Sequence, residues 1–272
     1  MNRAPAPAKL NLALVVGPRS PDGKHELTTI YQRIDLCDRV ALEPSPRLVV
    51  DGFRNDTLVR DALALLAERA EVEPRWRARI WKKVPDAAGL GGGSSDAATV
   101  LRLANDTLAE PLSLAQLRRV AARLGADVPF FLAPGPQLGT GDGTTLAPLD
   151  LPQDYWVVVV LPKGSGKAST AAVYAAFDAR AGTRGYRDRR ADLLRGLERV
   201  ERPRDLRDLP RNDLASSRLA EDLEARGAFR ADVSGAGPAV YGLFHRREDA
   251  AAAATNLRAR GRTWLTVPTW YG

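Results

Sequence analysis

The pattern of apolar and polar positions predicts four strands in the first 84 residues. An apolar run at Leu10–Val16, interrupted only by Asn11, is typical of a buried strand. Shorter pieces at Arg39–Leu42 and Leu48–Asp51 indicate further strands. The segment Arg77–Val84 alternates between polar and apolar residues, as a strand with one buried face does.

Three helices are predicted within residues 56–125. The first follows Asp56, which could serve as its N-cap, and the second follows a glycine-rich segment near residue 90. The third begins after the capping residue Ser113 and ends at Gly125. The apolar residues on their inward faces are Leu58, Ala62, Leu65 and Leu66, then Ala97, Val100, Leu101, Ala104 and Leu108, then Leu114, Leu117, Val120, Ala121 and Leu124.

A segment rich in turn formers, Asp142–Pro152, separates the two halves of the chain. We therefore expect a domain boundary near residue 152, with one domain over 1–152 and a second over 153–272. The second half is predicted to contain a strand at Tyr155–Leu161, a helix near Ser169–Phe177, a charged helical region, strands near Phe229–Ser234 and Ala239–Phe244, a helix at Glu248–Arg260 and a closing strand. This mixed order of strands and helices predicts an α+β fold.

The composition narrows the class of protein. A single cysteine, Cys37, excludes an internal disulfide, and with only two histidines a Cys/His metal site is not expected. No apolar run is long enough for a membrane span, and the first residues do not resemble a secretory signal. These features predict a cytoplasmic protein.

The net charge of +7 is compatible with an anionic small substrate or with nucleic acid. The 34 arginines are scattered and mostly alternate with acidic residues, as in RGYRDRRADLLRGLERVERPRDLRD at 184–208. No basic stripe interleaved with aromatic residues is found. The distribution therefore favours a solvated surface over a nucleic-acid interface.

One segment carries a strong chemical signal, PDAAGLGGGSS at residues 85–95, between a predicted strand and a predicted helix. Glycines allow backbone to approach a ligand closely, and the first N–H groups of a helix have no partner within it. Such a loop binds phosphate without a basic side chain. Ser94 and Ser95 could cap the helix, contact phosphate oxygens or help to hold Mg²⁺.

Two better-known phosphate-binding motifs do not fit this loop. The dinucleotide motif GxGxxG fails because the sixth residue from Gly89 is Ser94, and a P-loop requires a lysine that the loop lacks. The residues predicted to bind ATP are Pro85, Asp86, Ala87, Ala88, Gly89, Leu90, Gly91, Gly92, Gly93, Ser94 and Ser95.

The loop resembles the phosphate-binding motif of the kinase superfamily that includes galactokinase, homoserine kinase, mevalonate kinase and phosphomevalonate kinase. Three further stretches are similar to the branch that phosphorylates 4-diphosphocytidyl-2-C-methyl-D-erythritol in the non-mevalonate route to isoprenoid precursors: APAKLNLALVV at 6–16, SPDGKHELTTIYQRIDLCD at 20–38 and LGADVPFFL at 124–132. VSGAGPAVYGLF at 233–244 resembles the third superfamily motif, and STAAVYAAFD (169–178) and RNDL (211–214) occur in the expected order.

This resemblance implies a fold and a reaction. The fold would pair an N-terminal domain that carries the loop with a ferredoxin-like C-terminal domain, and the active site would lie in the cleft between them. The reaction would transfer the γ-phosphoryl group of ATP, with Mg²⁺, to the 2-hydroxyl of a cytidine diphosphate sugar alcohol.

The resemblance also assigns roles to residues. Asp127 would be the base and Lys9 would stabilise the reacting oxygens, although an aspartate between Gly125 and Pro129 is equally typical of a turn. The residues implied in substrate binding are Asn11, Lys24, His25, Thr170, Tyr174, Gly235 and Gly237.

Three positions depart from the superfamily pattern. Lys24 stands where a tyrosine is usual, Asp86 brings a negative charge to the front of the loop, and Ala236 replaces a common serine.

The sequence leaves three alternative functions open. The first is a mevalonate-type or other small-alcohol kinase, which would share the loop and the Lys9–Asp127 pair but would have no use for the DGKHEL segment at 22–27. The second is a nucleic-acid-binding protein with a similar N-terminal domain. The third is a catalytically inactive relative, against which the retention of Lys9, Asp127 and an intact loop argues. The oligomeric state is not predicted.

Overall fold

The computed structural model describes residues 2–53, 57–164 and 169–269. Backbone contacts group the chain into two compact units, each built from separate stretches of sequence. Unit 1 comprises Met1–Ala8, Leu36–Asp86 and Gly91–Pro134, and unit 2 comprises Lys9–Asp35, Ala87–Leu90 and Gly135–Gly272. The chain changes unit within strand β1 (Asn2–Arg19) and within strand β2 (His25–Pro44). The proposed division into 1–152 and 153–272 describes sequence order, and it stays a prediction.

The described strands of unit 1 include the first part of β1, which pairs with β2, and the strands β3 and β4. The second part of β2 pairs antiparallel with β4 (Trp76–Trp81), and β4 pairs parallel with β3 (Val49–Asp51). On β4 the buried residues alternate, which confirms the predicted half-buried strand. β4 ends at Trp81 rather than at Val84, because the backbone N–H groups of Lys83 and Val84 donate to the Asp38 carboxylate and not to a neighbouring strand.

Three α-helices and a short 3-10 helix complete unit 1. They are α1 (Thr57–Ala70), α2 (Gly92–Asn105), α3 (Leu114–Leu124) and the 3-10 helix Pro129–Leu132. The proposed cap Asp56 lies outside the described residues. Ser113 is confirmed as the N-cap of α3, and Gly125 is confirmed as its C-cap.

The buried helix faces differ from the predicted ones at several positions. On α1 the buried face is Val59, Ala62, Leu63, Leu66 and Ala67, so that Leu58 and Leu65 are only half-buried. Leu114 and Leu124 of α3 lie outside its buried face, and Leu108 lies beyond the end of α2. Because neighbouring apolar residues allow several choices of face, packing rather than periodicity decides among them.

Unit 2 contains a four-stranded antiparallel sheet in the order β10-β7-β9-β8. Its strands are β7 (Trp156–Pro162), β8 (Arg230–Val233), β9 (Val240–Phe244) and β10 (Gly261–Thr266). The helices are α4 (Thr170–Ala179), α5 (Tyr186–Leu197), the 3-10 helix Pro203–Asp208, α6 (Arg218–Glu224) and α7 (Arg247–Asn256). The order strand, helices, two strands, helix and strand is ferredoxin-like, as expected. A core of Val158, Leu223, Phe244 and Ala250 joins this sheet to α6 and α7.

The first part of β2 also belongs to unit 2, where it pairs with β5 (Gln137–Gly141), which in turn pairs with β6 (Thr145–Pro148). Residues 25–38 were not predicted as a strand. A buried strand is recognised by its apolar residues, and here several of the buried residues are polar: Thr28, Thr29, Gln32 and Arg33.

Within the described residues, no helix combines the length and the apolar character that a membrane crossing requires.

Candidate active site

The Lys9 side chain lies at the centre of a buried hydrogen-bond chain in unit 2. Lys9 and Asn11 share one face of β1 because side chains two residues apart on a strand point the same way. The Lys9 ammonium donates to Asn11 Oδ1 at 2.6 Å, and Asn11 Nδ2 donates to Thr29 Oγ1 at 2.8 Å. The Thr29 hydroxyl donates onward to the carbonyl of Ala13 at 2.7 Å. Lys9 is 3% exposed, so this chain fixes its ammonium.

Residues 87–90 of the glycine loop belong to the same unit and pack against the turn at 234–237. Gly89 has φ 80°, and a Cβ there would lie 2.1 Å from the carbonyl oxygen of Ser234. The Ser234 hydroxyl donates to the carbonyl of Gly89 at 2.9 Å, and the Lys9 N–H donates to the carbonyl of Leu90 at 2.9 Å. Only glycine fits at position 89, because the two backbones touch there.

The turn at 234–237 lies directly against the Lys9 chain. Gly235 has φ 56°, and a Cβ there would be 3.4 Å from Lys9 Nζ, from Asn11 Oδ1 and from the carbonyl oxygen of Gly89. The N–H of Gly237, which has φ 78°, donates to the Ser234 carbonyl at 2.9 Å. Thus the predicted residues Lys9, Asn11, Gly89 and Gly235 come together within one unit.

The rest of the glycine loop forms the start of α2 in unit 1. Gly91 is the N-cap with φ 69° and ψ 20°, and no side chain caps the helix. The Ser95 hydroxyl is buried, and none of the described residues forms a hydrogen bond with it. A Cβ on Gly93 would have 4.0 Å of clearance from its nearest neighbour, Leu58 Cδ2, whereas one on Gly92 would lie 3.0 Å from Val84 Cγ1. The helix start therefore presents bare backbone on one side and packs tightly on the other.

The remaining loop residues differ in exposure. Asp86 is exposed, which keeps its charge in solvent, and Ala87 is also exposed. Pro85 and Ser94 are half-buried, and Ala88 and Leu90 are buried. Ala87 has φ 50°, a left-handed conformation that is unusual for a residue with a side chain. Left-handed residues therefore recur at positions 87, 89 and 91, a pattern typical of anion-binding backbone.

A buried ion cluster that sequence reasoning missed lies beside the start of α2. Lys82 Nζ lies 2.5 Å from Asp38 Oδ2 and 2.7 Å from Asp96 Oδ2, and both carboxylates are fully buried. Burial lowers the pKa of Lys82, but the charges and hydrogen bonds of Asp96 and Asp38 outweigh it, so that the net pKa is raised. The signal in the sequence was Asp96, a carboxylate among the apolar residues of α2.

His25 and Tyr174, both predicted to bind substrate, meet in unit 2. Their rings stack with centroids 5.0 Å apart, and Phe177 meets the His25 ring edge-on. His25 Nδ1 lies 2.7 Å from the carbonyl oxygen of Gly17, and Nε2 lies 3.2 Å from Asp178 Oδ1. The imidazole is thereby fixed in orientation.

The carboxylate beside His25 carries a perturbed pKa. A hydrogen bond from Arg19 is the main cause that lowers the pKa of Asp178, and His25 contributes. Thr170 is exposed at the first position of α4 and does not join the aromatic pair through any described contact.

Lys24 forms an ion pair instead of an aromatic contact. Its ammonium lies 2.7 Å from Asp142 Oδ2, and its side chain is 59% exposed. The hydrogen bond to Asp142 raises the pKa of Lys24. Partial burial raises the pKa of Asp142, but hydrogen bonds from Lys24 and Thr144 outweigh it, so that the net pKa is lowered. The residue that departs from the superfamily pattern therefore has a partner 118 positions away.

Asp127 lies in unit 1, in the turn between α3 and the following 3-10 helix. The N–H of Val128 donates to the carbonyl of Gly125 at 3.2 Å across this turn, and Asp127 itself is half-buried. Lys9 belongs to unit 2, and the joint action of the two residues stays a prediction.

A surface groove of about 720 Å³ lies elsewhere in unit 2 and contains none of the predicted site residues. Four arginines and three aspartates line it: Arg189, Arg195, Arg199, Arg211, Asp192, Asp205 and Asp208. Most of these charges are paired with one another or with neighbours, as Arg189 is with Asp213 at 3.1 Å. The candidate active site is therefore the buried hydrogen-bond chain around Lys9 and not this groove.

Comparison with known proteins identifies the family of the chain. Residues 57–135 match the GHMP kinases N terminal domain, and residues 211–263 match the GHMP kinases C terminal domain. A relative from Geobacter sulfurreducens named 4-diphosphocytidyl-2-C-methyl-D-erythritol kinase is 39% identical over 96% of both chains. A relative of the same name from Paenarthrobacter aurescens is 34% identical over 97% of this chain and 92% of its own.

Solved structures lead to the same group of proteins. A crystal structure of 4-(cytidine 5'-diphospho)-2C-methyl-D-erythritol kinase matches all of both chains with a TM-score of 0.80 and 33% identity. A mevalonate kinase also matches all of both chains with a TM-score of 0.77, but at 13% identity it shows the fold alone. The chain therefore belongs to the GHMP kinases and, within them, to the family of 4-diphosphocytidyl-2-C-methyl-D-erythritol kinases.

Proposed function

We propose that the protein transfers the γ-phosphoryl group of ATP to the 2-hydroxyl of 4-diphosphocytidyl-2-C-methyl-D-erythritol. The observation that carries the proposal is the buried Lys9 ammonium, which Asn11 holds at 2.6 Å and against which the turn at Gly235 packs so closely that a Cβ there would lie 3.4 Å from Lys9 Nζ. The relatives that bear the name of this kinase support the choice of substrate. The single cysteine supports a cytoplasmic location.

Backbone amides of residues 89–95 bind the phosphates of ATP in this proposal. Left-handed conformations at positions 87, 89 and 91 support it, since such alternation turns successive N–H groups toward an anion. The uncapped start of α2 adds the positive end of the helix dipole.

Magnesium accompanies the nucleotide in this proposal. The described residues hold no cluster of three or more metal-binding side chains, and Mg²⁺ commonly keeps water and phosphate oxygens as ligands. The buried Ser95 hydroxyl, which has no hydrogen-bond partner among the described residues, suits a further oxygen contact at the same place.

Lys9 and Asp127 divide the chemistry between them. Asp127 accepts the proton of the 2-hydroxyl while that oxygen bonds to the γ-phosphorus, and the bond from the γ-phosphorus to the bridging oxygen of ADP breaks. Lys9 stabilises the charge that develops on the reacting oxygens. Asn11 orients the ammonium, and Thr29 orients Asn11.

The cytidine end of the substrate binds near His25 in this proposal. The stacked His25–Tyr174 pair offers an aromatic surface and fixed polar atoms, which suit a pyrimidine ring. Lys24 is engaged with Asp142, so it contributes charge rather than a stacking surface. Thr170 and Gly237 remain candidates for further contacts.

The proposal is tested by assaying phosphate transfer from ATP to the cytidylated methylerythritol and, in parallel, to mevalonate. We expect turnover with the first substrate only. Lys9→Ala and Asp127→Ala should each lower kcat by at least about 100-fold, the range of electrostatic and acid–base contributions. The matched controls are the exposed residues Lys163→Ala and Asp150→Ala, which should keep wild-type rates.

Two results would contradict the assignment. Turnover of mevalonate alone would overturn the substrate, and a folded Asp127→Ala protein with near-normal turnover would end the role of Asp127 as base.

A further inference from the structure

Asn212 is a buried side chain of unit 2 that the proposed reaction does not use. It is 8% exposed, and all of its hydrogen-bonding groups in the described contacts point to backbone or to a carboxylate. Its side-chain nitrogen donates to the carbonyls of Val233 at 2.9 Å and Gly235 at 2.7 Å. Its side-chain oxygen accepts from the N–H of Leu214 at 2.8 Å. A side chain with this many partners holds backbone in place.

The segment around Asn212 joins β1 to the turn at 234–237. Asn212 forms a parallel bridge with Leu14 of β1, and the N–H of Asp213 donates to the Leu14 carbonyl at 2.9 Å. The Asp213 carboxylate accepts from the N–H of Val16 at 2.8 Å. Because β1 also carries Lys9, Asn212 connects the strand of the ammonium to the turn that lies against it.

A second buried ion pair fixes Asn212 itself. The N–H of Asn212 donates to Asp232 Oδ2 at 2.9 Å, and the same oxygen lies 3.6 Å from Arg230 Nη2. The Arg230 side chain is 1% exposed and donates to the carbonyl of Leu209 at 2.8 Å. The Asp232 carboxylate therefore fixes the backbone of Asn212, while the side-chain amide of Asn212 donates to the carbonyl of Gly235.

We propose that Asn212 is a positioning residue for phosphoryl transfer, which acts by fixing the backbone of Gly235 against Lys9. This inference rests on the proposed function. Gly235 has no side chain to anchor it, so hydrogen bonds to its backbone set its position. A Cβ on Gly235 would lie 3.4 Å from both Lys9 Nζ and Asn11 Oδ1, so a shift of this turn would change the surroundings of the ammonium directly.

Asn212→Asp tests the inference with almost no change in size. The carboxylate cannot donate to the carbonyls of Val233 and Gly235, so oxygen would face oxygen and the turn would move away. We expect kcat/KM for the cytidylated alcohol to fall by about 100-fold, since displacements of about 1 Å cost that much in positioned reactions. The loss should fall on kcat rather than on KM, because Lys9 is proposed to act on the transition state.

A double-mutant cycle separates positioning from general loss of structure. In a Lys9→Ala background, Asn212→Asp should cost less than about threefold, because its effect passes through Lys9. The matched control is Asn105→Asp in unit 1, where a buried asparagine donates to the carbonyl of Leu112 at 3.1 Å and accepts from its N–H at 2.8 Å. That change should lower Tm and leave kcat/KM within about threefold in both backgrounds.

The outcomes are distinguishable. A wild-type protein that transfers no phosphate to the cytidylated alcohol refutes the proposed function before any Asn212 variant is needed. An active wild-type enzyme for which Asn212→Asp is harmless, or costs the same factor with and without Lys9, overturns the positioning role. If Asn212→Asp fails to fold, Asn212→Ala removes the donor without adding charge, and the same cycle gives the same decision.

Discussion

Two helices of unit 1 begin in opposite ways. Helix α3 begins at Ser113, whose hydroxyl accepts from the N–H of Gln116, while the Gln116 side chain accepts from the N–H of Ser113. Helix α2 begins at Gly91, which has a left-handed backbone and no side chain that could cap. Both helices carry a buried apolar face, so tertiary packing stabilises each of them.

The difference separates a structural helix start from one that is open to a ligand. At the start of α3, the side chains of Ser113 and Gln116 accept from the N–H groups of Gln116 and Ser113, which is the capping box. The start of α2 gives up this stabilisation, and glycines on either side keep side chains away from its backbone. If the open start of α2 is a phosphate site, damage to its loop should affect catalysis, whereas damage to the cap of α3 should affect only stability.

The largest effect on catalysis is expected from Gly89→Ala, which changes the loop in front of α2. A Cβ at position 89 would lie 2.1 Å from the carbonyl oxygen of Ser234, so the two backbones must separate. We expect kcat/KM for ATP to fall at least about 100-fold, because the loop would lose its alignment with the phosphates. Steady-state kinetics with varied ATP, with Tm recorded alongside, measures this.

The control for Gly89→Ala is Ala87→Gly in the same loop. Ala87 already has φ 50°, which glycine adopts more readily than alanine, and its side chain is exposed. Wild-type kinetics are expected. Equal losses in both variants would show that the loop tolerates no change of any kind, and the specific role of the Gly89 contact would then be wrong.

A second prediction concerns the ion cluster of Lys82, Asp38 and Asp96, which lies beside the start of α2. Lys82→Met removes the ammonium from two fully buried carboxylates, Asp38 and Asp96. We expect a loss of about 3–5 kcal/mol in the free energy of unfolding, as when one member of a buried ion pair is removed. Lys24→Met is the matched control, since its pair with Asp142 has a similar distance of 2.7 Å but a 59% exposed lysine. Its cost should stay below about 1 kcal/mol.

The same cluster predicts a dependence on alkaline pH. The pKa of Lys82 is raised above its ordinary value of 10.5 in the folded protein. The stabilisation is therefore fully present below the unfolded pKa and is lost as the pH rises through the higher folded pKa. Urea unfolding from about pH 9.5 to about pH 12 should show a decline for the wild type that begins near the ordinary pKa of 10.5 and is smaller in Lys82→Met. A decline of equal size in both proteins would assign it to other groups.

Local sequence signals accounted for most of the elements but not for their contacts. The helix cap at Ser113 and the alternation on β4 are short-range patterns, and both predictions are confirmed. The first part of β2 was missed because buried polar residues such as Gln32 and Arg33 follow no apolar rule. Their burial depends on neighbours far away in sequence, as the contact of Gln32 with Gln153 shows.

The candidate site likewise contains some features that short-range patterns predict and others that depend on contacts between distant residues. The glycine loop could be recognised from its motif, and Lys9 and Asn11 were assigned roles by resemblance. The hydrogen bond between them follows from the two-residue period of a strand. The partners of Lys82 could not, because two adjacent lysines usually indicate a solvated surface and the carboxylates come from another strand and a helix. The pairing of Lys24 with Asp142 likewise depends on how two turns approach each other. The pair of Lys9 and Asp127 stays a prediction that rests on resemblance.

The smallest effect is expected from Ser113→Ala, which removes the cap at the start of α3. The variant removes the hydroxyl that accepts from the N–H of Gln116, and it should cost about 1 kcal/mol in the free energy of unfolding. Ser113→Gly should cost only a few tenths of that, about 0.3 kcal/mol, because glycine leaves the N–H groups open to water. Neither variant should change kcat or KM, because the hydrogen bonds of Ser113 and Gln116 occupy the start of α3. Denaturant unfolding and kinetics on the same preparations measure both quantities. A catalytic defect in Ser113→Ala without loss of stability would mean that the start of α3 also serves the reaction, and the contrast with α2 would then no longer hold.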